Sequence, residues 1–227
     1  MIMSNEILWI VFLLLDLSAA TLIFKYFRKE GLYFIIGINI ILCNIQVMKV
    51  VEIFSVTVTL GNIMYGSIYF ATDLLNEFYG RKEAYRGVLV GFIALIMMTV
   101  FMQLSLMFTP APDDFINPAL VEIFSLMPRI ALASITAYIV SQIHDVWIYS
   151  IYKAKTRGKY LWLRNNLSTM VSQLIDSAIF VFIAFWGLFP RDIFISIFIT
   201  TYIIKFIVAA LDTPFIYICR KIVGGER

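Results

Sequence analysis

Charge is scarce in this sequence. Only 15% of its 227 residues are Asp, Glu, Lys or Arg, well below the roughly one quarter of an ordinary globular domain. With 61% hydrophobic residues and a mean hydropathy of +0.89, the composition excludes a soluble domain. Histidine occurs once, as His144, so an H-E-x-x-H zinc site cannot form. Cysteine occurs twice: Cys43 lies within an apolar segment and Cys219 near the C-terminal end, without metal-ligand spacing, and no disulfide is expected between them. A Gly-rich phosphate loop and a Ser–His nucleophile motif are both missing, so nothing points to an enzyme or a cofactor. The net charge of +3 is too small to argue for nucleic acid. The alternation of a transmembrane β-barrel is missing too. The N-terminus lacks the basic region of a signal peptide, carries Glu6, and continues into an apolar run that is too long.

What remains is a series of apolar runs of helical length. A membrane-spanning helix needs about 20 apolar residues, and we expect an all-α polytopic membrane protein of about seven helices. They cover about 6–24, 32–54, 61–79, 84–108, 119–152, 161–188 and 192–219. The length fits one transmembrane domain over 1–227, with no room for a soluble one. The fifth segment is long enough to tilt or break, and Pro128 is a candidate for the break. The stretch TPAPDDFINP, residues 109–118, reads as the clearest linker. Of the 18 Lys and Arg, 14 fall in alternate connections, following segments one, three, five and seven. The positive-inside rule then puts the N-terminus outside and the C-terminus in the cytoplasm. Tyr26, Tyr79, Tyr152 and Trp162 cluster at the same cytoplasmic ends, as an aromatic belt does.

Polar residues inside such helices are expensive and therefore informative. In the third segment Tyr65, Tyr69, Asp73 and Glu77 recur every four residues, which lays them along one slowly winding face, with Asn62 and Asn76 joining it. The sixth carries Asn165, Thr169, Ser172 and Asp176 on one face, with Gln173 beside it. The fifth has Ser134, Tyr138, Ser141 and Asp145 on a face, with Gln142 at its edge. The seventh offers Thr201, Tyr202, Lys205 and Asp212, with Pro214 expected to bend the helix beyond them. The second offers Asn44 with Gly37 and Ser55. The fourth has no charged or amide side chain from Val88 to Met102 and reads as scaffold or lipid-facing. Four or five amphipathic helices imply a shared polar cavity. Carboxylates, amides and tyrosines suit a planar heterocycle with several N–H donors, since rings stack on it and a carboxylate accepts two parallel N–H bonds from a guanine-like edge.

Three stretches, YFATDLLNEFYGRK, RIALASITAYIVSQIHDVWIY and LSTMVSQLIDSAIFVFIAFW, together with Lys205, resemble the vitamin uptake transporter family over roughly residues 34–220. The resemblance implies uptake of a queuosine precursor, a 7-deazaguanine such as the 7-cyano or 7-aminomethyl base or queuine, across the bacterial cytoplasmic (inner) membrane. It also implies a six-helix core similar to the substrate-binding subunits of energy-coupling-factor transporters. The first helix would be an addition to that core, and Gln173 stands where the family pattern has Asn. The alternative is a binding subunit for another vitamin-like molecule that needs a separate energy-coupling module.

The expected substrate-binding residues are Asn44, Tyr65, Tyr69, Asp73, Glu77, Tyr138, Gln142, Asp145, Gln173, Asp176 and Lys205. Each has a plainer reading. Asp73, Asp145 and Asp176 could serve helix packing, and Glu77 could form a salt bridge with Arg81 one turn on. Lys205 could neutralise Asp73, Asp176 or Asp212. His144 could couple protons but points away from the Asp145 face, and Arg129 could meet ligand at entry or snorkel to headgroups. A homodimer is expected, because a single small bundle must brace itself to move a cavity across the bilayer.

Overall fold

The computed structural model describes residues 4–53, 56–125, 127–157, 159–187 and 190–224. Helix α1 (Asn5–Gln46) is two helices in one, because at Arg28 the backbone turns to φ 52, ψ −128 and the chain folds back on itself. Across the resulting hairpin, Asn39 Nδ2 donates to Asp16 Oδ1 at 3.3 Å. Gly31 makes the reversal possible, since a Cβ there would lie 2.8 Å from Ile23 Cγ2 and 2.9 Å from its carbonyl oxygen. The first half, 5–27, buries Trp9, Leu13, Leu17 and Phe24 in the common core.

The second apolar segment ends earlier than the sequence suggests. The helix stops at Gln46, capped by Val47, and two short strands follow, β1 (Val50–Ile53) and β2 (Val56–Thr59). They pair antiparallel, with Val50 opposite Thr59 and Ile53 opposite Val56. The reason is local: VVEI and VTVT are dense in β-branched residues, which lose rotamer freedom in a helix and fit a pleated ribbon. Asn5 Nδ2 donates to Glu52 O at 2.9 Å, so the hairpin sits against the start of α1. Ser55 lies outside the described residues.

Helix α2 (Asn62–Phe78) is the axis of the molecule. Every residue from Asn62 to Asn76 is buried. Its polar groups therefore point several ways rather than along one face: Ser67 donates to Asp16 of α1, and Thr72 and Asn76 bond to the fifth helix. Helix α3 (Arg81–Leu106) shows the opposite pattern. Only Ala84, Gly87, Val88, Gly91, Leu95 and Met98 are buried, a single stripe at helical spacing, as a lipid-facing scaffold requires.

The expected break in the fifth segment is real. Helix α4 (Asn117–Ser125) and α5 (Met127–Lys155) meet at 41°, and Pro128 occupies the first turn of α5, where its missing N–H costs nothing. Helix α6 (Leu161–Phe185) and α7 (Arg191–Gly224) complete the bundle, with Pro214 inside α7. Among the described residues, four helices are long and apolar enough to cross a membrane, or five if α4 and α5 form one broken span. The chain is thus an all-α membrane protein apart from its one hairpin.

Candidate functional site

The centre of the bundle is polar on four helices. From α2 come Tyr65, Tyr69, Thr72 and Asp73; from α5, Tyr138, Ser141, Gln142 and Asp145; from α6, Asn165, Thr169, Gln173 and Asp176; from α7, Lys205 and Asp212. All of them are buried. They divide into a satisfied cluster and an unsatisfied one.

The satisfied cluster is built on Asp176. Tyr65 Oη donates to its Oδ1 at 2.5 Å, Ser141 Oγ donates to the same oxygen at 3.1 Å, and Lys205 Nζ donates to Oδ2. The Lys205 ammonium also lies 4.4 Å from the centre of the Tyr65 ring. Of the three acids that the sequence offered to Lys205, the fold selects Asp176. Tyr65 stands edge-on to Tyr69 and Tyr138, with ring centres 5.7 and 6.4 Å apart, so the three rings form an aromatic wall beside the ion pair.

The unsatisfied cluster adjoins it. Neither carboxylate oxygen of Asp145 has a hydrogen-bond partner, although Asp73, Ser168, Thr169 and Ser172 surround it. Asp73 lies beside Asp145 and accepts from Thr169 Oγ1 at 3.2 Å. Gln142 Oε1 accepts from Thr72 at 3.2 Å, but its Nε2 is unpartnered. Both amide atoms of Gln173 and the hydroxyls of Tyr69 and Tyr138 are likewise buried without partners. One level further, Asn165 Nδ2 donates to Asp212 Oδ1 at 3.1 Å, leaving Asn165 Oδ1 and Asp212 Oδ2 open. Each buried unsatisfied polar atom costs about 1–3 kcal/mol. A concentration of them at one place marks a site shaped for something that supplies the missing bonds.

Two expected site residues stand apart. Asn44 is buried, yet its amide donates to Ile40 O at 2.8 Å within its own helix. Glu77 accepts from Tyr149 Oη at 3.3 Å and pairs with Lys153 Nζ at 3.5 Å, a tie from α2 to α5 in place of the local bridge to Arg81. Arg129 is exposed at the end of α6. Its guanidinium donates to Ile183 O and Trp186 O at 3.1 and 2.9 Å, capping the free carbonyls of α6. His144, expected to point away, lies 3.0 Å from Ser172 Oγ on α6.

Sequence reasoning missed Thr72 and Asp16. Thr72 sits inside the Ala-Thr-Asp stretch, where adjacency to Asp73 was the available signal. Asp16, an acid in the middle of an apolar run, accepts from Ser67 Oγ and Asn39 Nδ2 and fastens the first half of α1 to the core.

Comparison with known proteins gives a consistent result. A family profile described as "Putative vitamin uptake transporter" matches residues 59–219. The "Probable queuosine precursor transporter" of Bacillus subtilis is 46% identical over 226 residues, 99% of both chains. The "Queuosine precursor transporter" of Escherichia coli is 30% identical over 143 residues, 63% of this chain and 62% of that one. No solved structure matches the chain.

Proposed function

The chain belongs to the vitamin uptake transporter family, and from that premise we propose that it imports a queuosine precursor, a 7-deazaguanine base, across the cytoplasmic membrane. The observation that carries the site is the set of buried, unpartnered groups on α2, α5 and α6. They complement a guanine-like base. Asp145, with both oxygens open, accepts the parallel N–H pair of the amidine edge. Gln142 Nε2 donates to the ring carbonyl, and the Gln173 amide meets a further donor and acceptor pair. Tyr69 and Tyr138 supply faces for stacking. Asp176 and Lys205, already engaged with each other, frame the site rather than bind the base edge.

In this reading the chain crosses the membrane seven times: the two halves of α1, then α2, α3, α4 with α5, α6 and α7. The N-terminus lies outside and the Lys- and Arg-rich connections lie in the cytoplasm. The first half of α1 is an addition to a six-helix core, the protein works as a homodimer, and alternating access moves the helices around a site near mid-membrane.

Purified protein titrated with 7-cyano- and 7-aminomethyl-7-deazaguanine, queuine, guanine and adenine tests the ligand. A ligand at a hundred times its Kd adds about 2.7 kcal/mol to the native state, so a deazaguanine should raise the melting temperature and adenine should not. Uptake of the labelled base into proteoliposomes then tests transport. A folded protein that no deazaguanine stabilises overturns the proposal.

A further inference from the structure

The polar centre is rich in carboxyl groups. Among the described residues, four carboxyl groups are buried there, Asp73, Asp145, Asp176 and Asp212, against one cation, Lys205. That cation is committed to Asp176. The other three acids come from α2, α5 and α7, and Asp73 and Asp212 are held by Thr169 and Asn165, one turn apart on α6. Among the described residues, none of the three forms a salt bridge. Their hydrogen bonds come from the neutral groups Thr169 and Asn165.

A buried carboxylate without a counter-charge is costly, and three at one place are more so. The neutral edge of a guanine-like base satisfies one of them. It leaves two, and it leaves Asp212 Oδ2 and Asn165 Oδ1 without a donor. An alkylammonium group supplies what is missing, a compact positive charge with three donors that diverge towards several acceptors. An alkyl amine ionises much as lysine does, near pH about 10.4, so such an arm is charged at neutral pH.

Building on the proposed function, we propose that the site selects the amine-bearing 7-deazaguanines over the neutral nitrile. The ammonium arm lies between Asp73 and Asp212, the two acids that the base edge leaves open, and Asp212 acts as a specificity-determining residue. The base edge and the stacking are common to all the deazaguanines, and the pair Asp73 and Asp212 reads the arm.

The experiment compares dissociation constants of the 7-aminomethyl and 7-cyano bases on the purified full chain at pH 7, for the wild type and for Asp212→Asn. Removing a desolvated charge pair changes affinity by tenfold or more, so the wild type should bind the aminomethyl base at least about tenfold more tightly than the cyano base. In Asp212→Asn the ratio should fall to within about threefold. Equal affinities in the wild type, or tighter binding of the nitrile, overturn the selectivity, and the acids then balance their charge with protons. A wild-type preference that Asp212→Asn leaves intact overturns the assignment to this pair. Should the variant fail to fold, the wild-type ratio still decides the selectivity. Binding of neither base is a different failure, that of the transporter reading itself.

Discussion

At the scale of single residues, the two carboxylates Asp145 and Asp176 are alike in sequence context and opposite in state. Asp176 receives Tyr65, Ser141 and Lys205, whereas both oxygens of Asp145 lack a well-formed hydrogen bond among the described residues. They therefore respond differently to substitution. Asp145→Asn removes an acceptor that only a ligand uses, so the protein should fold and bind its base more weakly. The loss of one charge-assisted pair, about 1.5–3 kcal/mol, corresponds to roughly tenfold to a hundredfold in Kd, measurable by titration. Lys205→Met instead strands a buried charge and should cost about 3–5 kcal/mol of stability. The double variant Lys205→Met, Asp176→Asn should recover most of that loss, since replacing both members of a buried pair is far less harmful than removing one. Thermal melts of the two variants check the difference.

Among the elements, α2 and α3 divide the work. The central helix is buried on every side and distributes its polar groups to α1, α5 and α6. Its neighbour α3 touches the core along one stripe, where Gly91 lies directly against the Tyr138 hydroxyl. A Cβ at that position would collide with the hydroxyl and come within 3.0 Å of Ile36 Cγ2. Gly91→Ala should therefore cost about 1–3 kcal/mol through overpacking. It should also shift the Tyr138 ring, so that binding weakens by more than the change in melting temperature would suggest. A Gly→Ala change at Gly37, whose nearest neighbour is Val90 Cγ1 at 3.7 Å, serves as the control that should do neither.

For the whole molecule, orientation follows from the basic connections rather than from the packing. Asp113, in the exposed connection between α3 and α4, and Lys155, in the last turn of α5, should lie on opposite sides of the membrane. Both native cysteines are buried, so single introduced thiols report cleanly. Asp113→Cys should react with an impermeant maleimide in intact cells, and Lys155→Cys only after permeabilisation. The reverse pattern would invert the topology and with it the side from which the base enters.

Much of this arrangement was legible in the chain itself. Long apolar runs required membrane helices, because backbone groups in lipid must bond within the segment. Polar residues every three or four positions marked the faces that turn inward, since side-chain direction follows the 3.6-residue period. That reasoning expected Tyr65, Tyr138, Gln142, Asp145 and Lys205 to face inward, and all five are buried. It also placed the break near Pro128 and the scaffold role of α3. It failed at the β1–β2 hairpin, where hydrophobicity alone does not separate a helix end from a β-branched ribbon. It did not foresee the partners of Asn44, Glu77 and Arg129, which are a backbone carbonyl, another helix and the end of α6. Which acid takes Lys205, and which acids are left open, was decided only by the tertiary structure. Periodicity orients a side chain about its own helix axis, but pairing depends on the rotation and vertical offset between helices, and packing across the whole bundle sets those two quantities.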